Sequence, residues 1–449
     1  MHIHWKMMRT KRFRCVDQVA EWRLCAGCGA CAAVCANHAI ELVDMFDRGI
    51  RPIVDSRKCR KCGTCIEVCP GIGILHQPFN KRSAPELLCE WGPVLEVWEG
   101  HAADPEIRYK GSSGGAATAL ALFCLEMQGA CGVLHIGTKD GAPLENAAVF
   151  SKSKAELLER TGSRYCPAAP CEKLQWVQES KSPSVFIGKP CDVVALRKSQ
   201  AVNPLLNEKI GLAISIFCAG TPATEGTYKI LSSLGVEPER TEEIRYRGCG
   251  WPGATTVKIK GNNGQMRQMS YEESWGNILS HFGQYRCRIC PDSTGEFADI
   301  SCGDPWYREL KEDDQGWSLV VVRTERGREI LRKAVRAGYI KLERVGPDTI
   351  PRSQKALLVR RRHLWGRLLM MRMMGVPIPR YVGFFLLRSW FRLSLGDKLR
   401  SLAGTLKRII LRGWVRPLKP IACTDAQHKT KDTAKTVINI EEYESQCKV

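Results

Sequence analysis

The chain has 449 residues, of which 25% are charged and 44% hydrophobic, as in an ordinary globular protein of two or three domains. The apolar stretch VGFFLL, residues 382–387, is far shorter than the roughly 18 residues that a membrane-spanning helix needs. The basic N-terminus MHIHWKMMRTKRFRC has no apolar core of a secretory signal. We therefore expect a cytoplasmic protein, with peripheral attachment at the inner face of a membrane left open.

The net charge of +20 is concentrated near the C-terminus. Residues 351–420 hold 17 Lys and Arg but a single acidic residue, Asp397, whereas the rest of the chain has 50 basic and 46 acidic residues. This change in charge predicts a domain boundary near residue 350.

Cysteine is abundant, with 22 residues, and eight of them stand in two copies of one pattern. In a reducing compartment so many thiols are expected to be metal ligands or small core residues. Both CAGCGACAAVC and CRKCGTCIEVC read C-x2-C-x2-C-x3-C. Three thiolates of such a run cap one 4Fe–4S cluster, and the fourth reaches the other cluster. The spacing predicts one cluster on Cys25, Cys28, Cys31 and Cys69, and another on Cys59, Cys62, Cys65 and Cys35.

Structural zinc sites are the alternative, but zinc modules pair two C-x2-C knuckles and have no use for a third cysteine at this spacing. Over about residues 20–75 the pattern resembles the bacterial two-cluster ferredoxin, and we expect residues 1–88 to form such a domain. The first run ends Cys35-Ala36, where the second ends Cys69-Pro70. Without a proline the turn after Cys35 is less restrained, but no cluster ligand is lost.

A glycine- and serine-rich loop, KGSSGG at residues 110–115, precedes a predicted helix over residues 116–127 and a buried strand over residues 132–136. Free N–H groups and the helix dipole favour an anion at such a helix start. A capped helix without a ligand would have the same sequence, and the loop matches neither the dinucleotide nor the Walker fingerprint. Both interpretations stay open on these residues alone.

Further along, two strand–turn–helix units each place a cysteine in the turn, Cys191 in SVFIGKPCDVVALRK and Cys218 in KIGLAISIFCAG. Sites of α/β sheets gather at the carboxyl ends of strands, where such turns lie. RCRICPD adds Cys287 and Cys290 at C-x2-C spacing. From spacing alone these four thiols are either ligands of a third 4Fe–4S cluster or buried structural cysteines.

The series GSSGG, TGSRY, GKPCDVVALRK, FCAG, YRGCGWPG, CRICPD and FADISCGD, over about residues 90–345, resembles the coenzyme F420 hydrogenase/dehydrogenase beta subunit family, which includes tetrapyrrole reductases. The resemblance implies a flavin, usually FAD, in an α/β body, and it favours a third cluster beside the flavin on Cys191, Cys218, Cys287 and Cys290. We expect the flavin-binding part in residues 89–180 and the cluster-binding part in residues 181–350. The implied flavin-binding residues are Ser112, Ser113, Gly114, Gly115, Ser163, Arg164 and Tyr165.

For the other residues of these motifs the resemblance implies less definite roles. Asp299 and Asp304 would cap or orient the site, and a structural turn explains them equally well. FCAG has Ala219 where a histidine is frequent, which removes a proton donor. Cys249 and Cys302 are interpreted as packing residues. No catalytic residue is predicted, because His38, His101, His135 and His281 lie outside the motifs and are expected to be core or surface histidines.

The basic segment, residues 351–449, is predicted to contain an amphipathic helix and a disordered polar tail over residues 421–449. Leu399, Leu402, Leu406, Ile409 and Ile410 fall on one stripe that basic residues flank. Four interpretations stay open for residues 351–420: the stripe packs on the body, it lies on an anionic membrane surface, it docks on an acidic partner subunit, or, least favoured, the segment binds nucleic acid.

The predicted fold combines α+β and α/β parts: a ferredoxin-like N-terminal domain, an α/β flavin-binding body and a basic helical C-terminal segment. The predicted function is that of an iron–sulfur flavoprotein oxidoreductase, in which clusters exchange electrons with FAD and the flavin exchanges hydride with coenzyme F420 or another two-electron partner. Ferredoxin or another electron-transfer protein is the expected partner. The alternatives are an electron-relay subunit without catalysis of its own, and a reductase of an organic substrate such as a tetrapyrrole or a cell-surface glycan intermediate.

Overall fold

The computed structural model describes residues 13–76, 82–261, 264–310 and 314–418, so that the predicted polar tail over residues 421–449 lies outside the described residues. The strands are β1 Ile40–Asp44, β2 Ile50–Val54, β3 Gly73–Leu75, β4 Glu96–Ala102, β5 Val133–Lys139, β6 Ala142–Ser151, β7 Ser184–Gly188, β8 Ile210–Ile216, β9 Thr241–Arg245, β10 Thr255–Ile259, β11 Met266–Met269, β12 Ile300–Gly303, β13 Ser318–Val322, β14 Ile340–Arg344 and β15 Arg380–Val382.

The α-helices are α1 Val16–Glu21, α2 Ala30–Ala33, α3 Thr64–Glu67, α4 Pro85–Trp91, α5 Pro105–Lys110, α6 Ala116–Met127, α7 Lys154–Glu159, α8 Leu174–Gln178, α9 Pro190–Val202, α10 Leu205–Lys209, α11 Thr224–Ser233, α12 Tyr285–Arg288, α13 Glu325–Arg336, α14 Thr349–Ser353, α15 Lys355–Met373, α16 Leu386–Phe391 and α17 Leu395–Leu411. Short 3-10 helices cover Pro170–Lys173, Pro238–Arg240 and Leu279–Phe282, and a π-helical stretch covers Glu272–Ile278.

The body is built on an eight-stranded mixed sheet with the order β14-β4-β13-β12-β8-β7-β5-β6. Its centre is parallel, since β12, β8, β7 and β5 run in the same direction, and both edges are antiparallel. The parallel strands are almost fully buried, as expected for strands covered on both faces. Their carboxyl ends meet at one edge of the sheet, so that the turns that follow them lie together.

The N-terminal module consists of the antiparallel hairpin β1–β2 and the short helices α2 and α3. Each helix begins directly after a glycine with a left-handed backbone, Gly29 at φ 86° and Gly63 at φ 85°. A Cβ on Gly29 would lie 2.8 Å from the backbone nitrogen of Glu172. The module therefore packs against the body with backbone-to-backbone contact that only glycine permits at this point.

The basic C-terminal segment shares a hydrophobic core with the N-terminal module. Strand β15 pairs in parallel with β3, and Leu368 of α15 and Ile409 of α17 pack in one cluster with Val16 and Ile66. Several cations of α15 have partners within the protein: Arg361 contacts Glu296, Arg362 donates to Glu90 at 2.6 Å, and Arg367 donates to the carbonyl of Arg288 at 3.1 Å. These charges serve to hold α15 in place. In the part of the chain that the structure describes, no helix combines the length and the apolar character that crossing a membrane requires.

Candidate functional site

The first predicted set of thiols surrounds a small hollow in the N-terminal module. Cys25, Cys28, Cys31 and Cys69 line it together with apolar residues such as Val16 and Val19. Burial raises the pKa of Cys28, Cys31 and Cys69, and the neighbouring thiols raise it further. Four thiolates this close repel one another unless a cationic centre lies among them. The set is the one that the spacing predicted: three cysteines of the first run and the last cysteine of the second.

The arrangement of these thiols bears on the zinc alternative. Zinc draws its sulfur ligands to about 2.3 Å from a single ion. Among residues 13–418, apart from the three undescribed gaps, no three His, Cys, Asp or Glu side chains are arranged to hold a metal ion directly. The four thiols line one hollow, and three of them come from one tight loop, which is the ligand set that a 4Fe–4S cluster takes.

The second predicted set, Cys35, Cys59, Cys62 and Cys65, is less shielded. Cys62 is exposed and the other three are half-buried. Thr64 donates its hydroxyl to Cys62 Sγ at 3.5 Å, and this hydrogen bond lowers the pKa of Cys62. Cys65 lies beside Cys15, which no motif singled out, and their hydrogen bond raises the pKa of Cys15. The second set therefore lies nearer the surface than the first.

The third predicted set is brought together at the carboxyl edge of the parallel strands. Cys191 follows β7 in the first turn of α9, Cys218 follows β8, and Cys287 and Cys290 belong to the turn of α12. Burial raises the pKa of Cys218 to about 12, with further contributions from Cys287 and Cys290. The pKa of Cys191 is raised by burial, and Cys218 and Cys290 raise it further. Cys218 and Cys290 thus each interact electrostatically with the other three thiols of the set.

A buried arginine shows that these thiols fit an anionic cluster. Arg286 is 3% exposed and interacts electrostatically with Cys191, Cys287 and Cys290. It donates from Nη2 to the carbonyl of Pro70 at 3.2 Å, but its Nε and Nη1 have no hydrogen-bond partner among the described residues. A buried guanidinium with unmet donors is costly unless an acceptor lies beside it. A 4Fe–4S cluster on the four thiols would supply negative charge and sulfide acceptors at that place.

Helix α9 connects the first and third sets. Cys191 stands at its start, and seven residues later Lys198 donates to the carbonyl of Cys69 at 2.7 Å. At 1.5 Å per residue the two positions are about 10 Å apart along the helix axis. The buried Cys171 lies between the same sets, because its N–H donates to the carbonyl of Cys28 at 3.0 Å and its thiol to the carbonyl of Asp192 at 3.3 Å.

A cavity of about 870 Å³ adjoins the third set, and Cys218 and Lys189 form part of its wall. Six of the seven residues implied for the flavin line it: Ser112, Ser113, Gly115, Ser163, Arg164 and Tyr165. Gly114 is not among the lining residues. The resemblance therefore pointed to residues from two distant loops that the fold brings to one cavity.

The glycine- and serine-rich loop is held by its own hydrogen bonds. Ser112 Oγ accepts from the N–H of Ser163 at 2.6 Å, and Ser113 Oγ donates to the carbonyl of Gly303 at 2.9 Å. Gly115 has φ 72°, and a Cβ there would lie 2.6 Å from the carbonyl oxygen of Ile107. A Cβ on Gly114 would lie 2.9 Å from the backbone of Trp317. The two glycines thus allow close backbone packing, and the start of α6 faces the cavity.

The TGSRY loop contributes a scaffold residue and an aromatic ring. Arg164 bonds Asn146 and donates to the carbonyls of Pro143 at 2.9 Å and Ile244 at 3.2 Å. Its guanidinium is therefore largely engaged in holding neighbouring strands. The Tyr165 ring packs against Trp275 with centroids 4.7 Å apart.

The opposite wall combines aromatic rings with a buried ion pair. Trp306 stacks on Trp251 and on Tyr271, at centroid distances of 5.5 and 5.4 Å. Arg247 lies over the rings of Tyr271 and Trp306 and forms two hydrogen bonds with Asp304, at 2.9 and 2.5 Å. Burial alone would lower the pKa of Arg247, but Asp304 outweighs this effect and raises it. This wall offers flat, polarisable surfaces and a permanent cation.

The cavity as a whole is positively charged. Its lining includes six basic residues but two acidic ones, Asp192 and Asp304. The basic residues are Arg160, Arg164, Lys189, Arg247, Arg352 and Lys355. A cavity with this lining suits a ligand that combines planar rings with phosphate or carboxylate groups.

The structure also shows where the two aspartates and the two cysteines of the remaining motifs lie. Asp304 lines the cavity, whereas Asp299 is a structural residue that accepts from the N–H of Ala213 at 2.9 Å and from Arg197 at 3.0 Å. Cys302 is buried, and it is also among the residues that line the cavity. The interpretation of Cys249 as a packing residue is wrong, since its side chain is exposed on a turn with φ 57°.

The histidines outside the motifs have mainly structural contacts. His135 lines the cavity, its Nε2 is 2.8 Å from Ser151 Oγ, and burial lowers its pKa to about 4. His101 Nδ1 is 2.8 Å from the carbonyl of Ala102, and His281 Nδ1 is 3.0 Å from that of Asn277. His38 is exposed, with φ 48°.

Sequence reasoning missed Lys198, Arg286, Cys171 and the aromatic wall. Lys198, Arg286 and Arg247 stand inside GKPCDVVALRK, RCRICPD and YRGCGWPG, so the motifs contained them without indicating a role. Their importance depends on which buried groups they face, and that is set by how the N-terminal module packs on the body.

Comparison with protein-family profiles matches three segments of the chain between residues 24 and 348. Residues 184–348 match the family profile described as the C terminus of the coenzyme F420 hydrogenase/dehydrogenase beta subunit, and residues 97–175 match its N-terminal counterpart. Residues 24–71 match the profile of the 4Fe-4S dicluster domain.

Among curated proteins, the coenzyme F420-dependent sulfite reductase of Methanocaldococcus jannaschii is 23% identical over 331 residues, which are 70% of this chain and 46% of that protein. The F420-dependent formate dehydrogenase subunit beta of the same organism is 27% identical over 58% of this chain and 62% of its own length. The coenzyme F420 hydrogenase subunit beta of Methanococcus voltae is 27% identical over 62% of this chain and 95% of its own length. The chain thus spans less than two thirds of the first two relatives.

Among solved structures, one from the xenon-derivatised F420-reducing [NiFe] hydrogenase complex of Methanosarcina barkeri aligns with 63% of this chain and 96% of its own, at 22% identity and a TM-score of 0.46. The two beta-subunit profiles together cover the body from residue 97 to residue 348 in the order of the motifs. The chain therefore belongs to the coenzyme F420 hydrogenase/dehydrogenase beta subunit family and carries a 4Fe–4S dicluster domain near its N-terminus.

Proposed function

We propose that the chain is an iron–sulfur flavoprotein oxidoreductase in which three 4Fe–4S clusters exchange electrons with FAD bound in the large cavity. The observation that carries the proposal is the position of Cys218. This thiol belongs to the third set and also lines the cavity formed by Ser112, Ser113 and the TGSRY loop. A cluster held there would lie directly beside a ligand of the cavity.

The groups of the cavity suit FAD in particular. The start of α6 presents backbone N–H groups for a pyrophosphate, and Arg160 and Lys189 add positive charge nearby. The rings of Trp306 and Tyr271 provide surfaces for planar groups, and Trp251 supports Trp306 from behind. Bound FAD accepts electrons singly and passes them on as a pair. The protein contributes binding, orientation and the exclusion of water.

The order of the proposed centres follows from burial and packing. The set of Cys35, Cys59, Cys62 and Cys65 is the most exposed and would receive electrons from an external carrier. The set around Cys69 is buried and is joined by α9 to Cys191. The third set leads to the cavity through Cys218.

The two-electron partner is proposed from chemistry and from the relatives. A deazaflavin such as coenzyme F420 combines a planar ring with an anionic tail, and both features suit the basic, aromatic lining. Three of the relatives carry F420 in their names as oxidoreductases or their subunits. An organic acceptor with a planar, acidic structure would suit the same lining.

The test is the composition of the protein purified without oxygen, measured as iron, acid-labile sulfide and released flavin per chain. The proposal expects about twelve irons for three cubane clusters, with one FAD. The double variant Cys191→Ser, Cys287→Ser should drop to about eight irons. Cys124→Ser, which changes a buried cysteine outside the three sets and outside the cavity lining, should keep the wild-type iron and flavin content.

Equal iron in the wild type and the double variant would contradict the third cluster, and a colourless protein would overturn the whole proposal. Turnover is measured separately, with reduced ferredoxin as donor and coenzyme F420 as acceptor. Reduction of the bound flavin without reduction of F420 would favour the relay subunit or an organic acceptor.

A further inference from the structure

Helix α17 packs against α15 through small polar residues together with Ile409, and only part of its apolar stripe is buried. Ser401 and Thr405 are buried, and Ser401 Oγ accepts from Trp390 Nε1 at 3.1 Å. Gly366 of α15 faces Ser401, and a Cβ at Gly366 would lie 2.2 Å from Ser401 Oγ. Of the predicted stripe, Ile409 is buried and Leu402 and Leu406 are half-buried. The helices approach closely at this point, and the rest of the stripe is turned away from the contact.

A row of large apolar side chains is consequently exposed. Phe391, at the end of α16, is 62% exposed, and Leu395 at the start of α17 is 78% exposed. Leu399 and Ile410, further along α17, are 66% and 65% exposed. At 3.6 residues per turn, Leu395, Leu399 and Ile410 fall on one side of a helix about 25 Å long. A surface helix of a globular protein normally turns such residues towards the core.

The same segment is strongly cationic. Residues 386–416 contain eight Lys and Arg and a single acidic residue, Asp397. The basic residues are Arg388, Arg392, Lys398, Arg400, Lys407, Arg408, Arg412 and Arg416. Asp397 is engaged with Arg400 and with Ser394 at the start of α17. Lys398 lies over the Trp390 and Phe391 rings, at 5.7 and 5.6 Å, so that charge and apolar surface are interleaved.

We propose that the outer face of α16 and α17, defined by Phe391, Leu395, Leu399 and Ile410 with the flanking cations, docks on an anionic phospholipid surface. Exposed leucines and phenylalanine beside four to eight cations are typical of helices that lie in the plane of a membrane interface. The apolar centre of a protein interface would be expected to consist of aromatic and methionine side chains, whereas Leu395, Leu399 and Ile410 are aliphatic. The aliphatic character of this row favours the lipid.

Docking in this way does not depend on the flavin or the clusters. The helix is held rigidly on the core by Ser401, Thr405 and Ile409, so the row projects without unfolding. The apolar side chains would enter the interface while Arg400, Lys407 and Arg412 reach the headgroups. The redox centres would thereby be kept at a membrane surface.

The experiment is co-sedimentation of the full chain, with its cofactors, with vesicles of phosphatidylcholine alone or of equal parts phosphatidylcholine and phosphatidylglycerol. We expect binding to the anionic vesicles, weakened by salt, and little binding to the neutral ones. The variant Leu395→Gln, Leu399→Gln should bind at least about tenfold more weakly, because each leucine loses burial in the interface. Lys407→Gln, Arg412→Gln should also lose about tenfold or more, since each cation near lipid contributes roughly a fivefold effect.

The matched control is Met266→Gln, which removes an apolar side chain that is 64% exposed on β11 and should leave binding unchanged. All four positions substituted in the two double variants are exposed, so we expect both variants to fold. Their folding is checked by their flavin and iron content. Absence of binding to anionic vesicles at low salt would overturn the proposal and leave the face to an acidic protein partner. Equal binding of the leucine variant and the wild type would overturn it as well.

Discussion

Lys198 Nζ lies 2.7 Å from the carbonyl oxygen of Cys69, at the buried edge of the hollow that four cysteines surround. The lysine is fully buried, and a second carbonyl, that of Gly73, is 3.4 Å away. Burial lowers its pKa to about 8, while the thiols of Cys69 and Cys28 act in the opposite direction. At neutral pH the side chain is therefore largely charged, and it places a cation within the low-dielectric surroundings of the proposed cluster.

We expect Lys198→Met to lower the reduction potential of this cluster. The reduced cluster is more negative than the oxidised one, so a nearby cation stabilises the reduced state. An interaction of about 1–2 kcal/mol in protein surroundings corresponds to roughly 50–100 mV for one electron. The potential is measured by redox titration followed by electron paramagnetic resonance.

The matched control for Lys198 is Lys209→Met. Lys209 is half-buried and donates to the carbonyl of Ser180 at 2.6 Å, so this variant also removes a lysine–carbonyl bond, but at a distance from the thiols. Its potentials should equal those of the wild type. If Lys198→Met left every potential unchanged while iron content stayed complete, the lysine would have only a structural role.

Arg286 is expected to act on the third cluster in the same direction. Its Nε and Nη1 have no hydrogen-bond partner within the described ranges, and its charge faces Cys191, Cys287 and Cys290. Arg286→Met should lower the potential of that cluster by about 50–100 mV and speed its loss in air. Arg286→Lys keeps the charge and should recover most of the potential. If the potential fell as far in Arg286→Lys as in Arg286→Met, the electrostatic role of Arg286 would be contradicted.

Some features of the fold and of the site could be predicted from local sequence. The pattern of glycine and helix formers placed a helix over residues 116–127, and α6 covers Ala116–Met127. The spacing of the first run predicted that Cys25, Cys28 and Cys31 lie together in one tight loop, and the repeat of the run indicated Cys69 as the fourth thiol of their hollow. The helix and the loop depend on contacts within a few turns of the chain, whereas Cys69 was indicated by the repeated pattern.

Features that depend on distant packing were not predictable. Lys198 faces Cys69 because α9 packs against the N-terminal module, a contact between residues 129 positions apart. The stripe of α17 was recognised, but its exposure depends on Ser401 meeting Gly366 of another helix. Arg247 and Trp306 form one wall only because β9 and the turn after β12 meet in space. Neither an amphipathic pattern nor the spacing of a motif predicts which distant residues will be in contact.

Acid stability should depend on Glu296, which is buried among cations. Burial alone would raise its pKa, but Arg361, His76 and Arg323 outweigh this effect and hold the pKa at about 2, against an ordinary value of 4.5. Because the folded-state pKa is depressed, the contribution to stability is fully present above pH 4.5 and is lost as the pH falls towards 2. Between about pH 8 and pH 5 this carboxylate therefore adds no pH dependence.

Glu296→Gln should lower the free energy of unfolding by about 3–5 kcal/mol, because Arg361 and Arg323 would remain buried without their carboxylate. The check is the midpoint of thermal unfolding at about pH 8, which lies above the pKa of Glu296 and above that of the neighbouring Asp292, raised to about 6 by burial and by Glu296. Glu325→Gln is the control, since Glu325 is about half exposed and pairs with Arg328 at 2.7 Å. An exposed pair contributes less than about 1 kcal/mol. A loss of similar size in the two variants would argue against a special role of the buried cluster.

The last prediction compares the two glycines that flank α6. Gly115 and Gly129 both have positive φ, 72° and 66°, so an alanine costs similar backbone strain at each position. They differ in space: a Cβ at Gly115 would lie 2.6 Å from the carbonyl of Ile107, whereas at Gly129 no atom of the described residues lies within 4 Å. Gly115→Ala must therefore displace the loop at the start of α6, which lines the cavity.

We expect Gly115→Ala to lose most of its flavin and to retain its iron, because the displaced N–H groups belong to the cavity and not to the thiol sets. Gly129→Ala should keep full flavin, with a loss of stability of about 1 kcal/mol from the strained backbone. Released flavin and iron are measured on the same anaerobic preparations. Full flavin in Gly115→Ala would mean that the start of α6 does not hold the cofactor, and the phosphate would have to be sought on the basic residues elsewhere in the cavity.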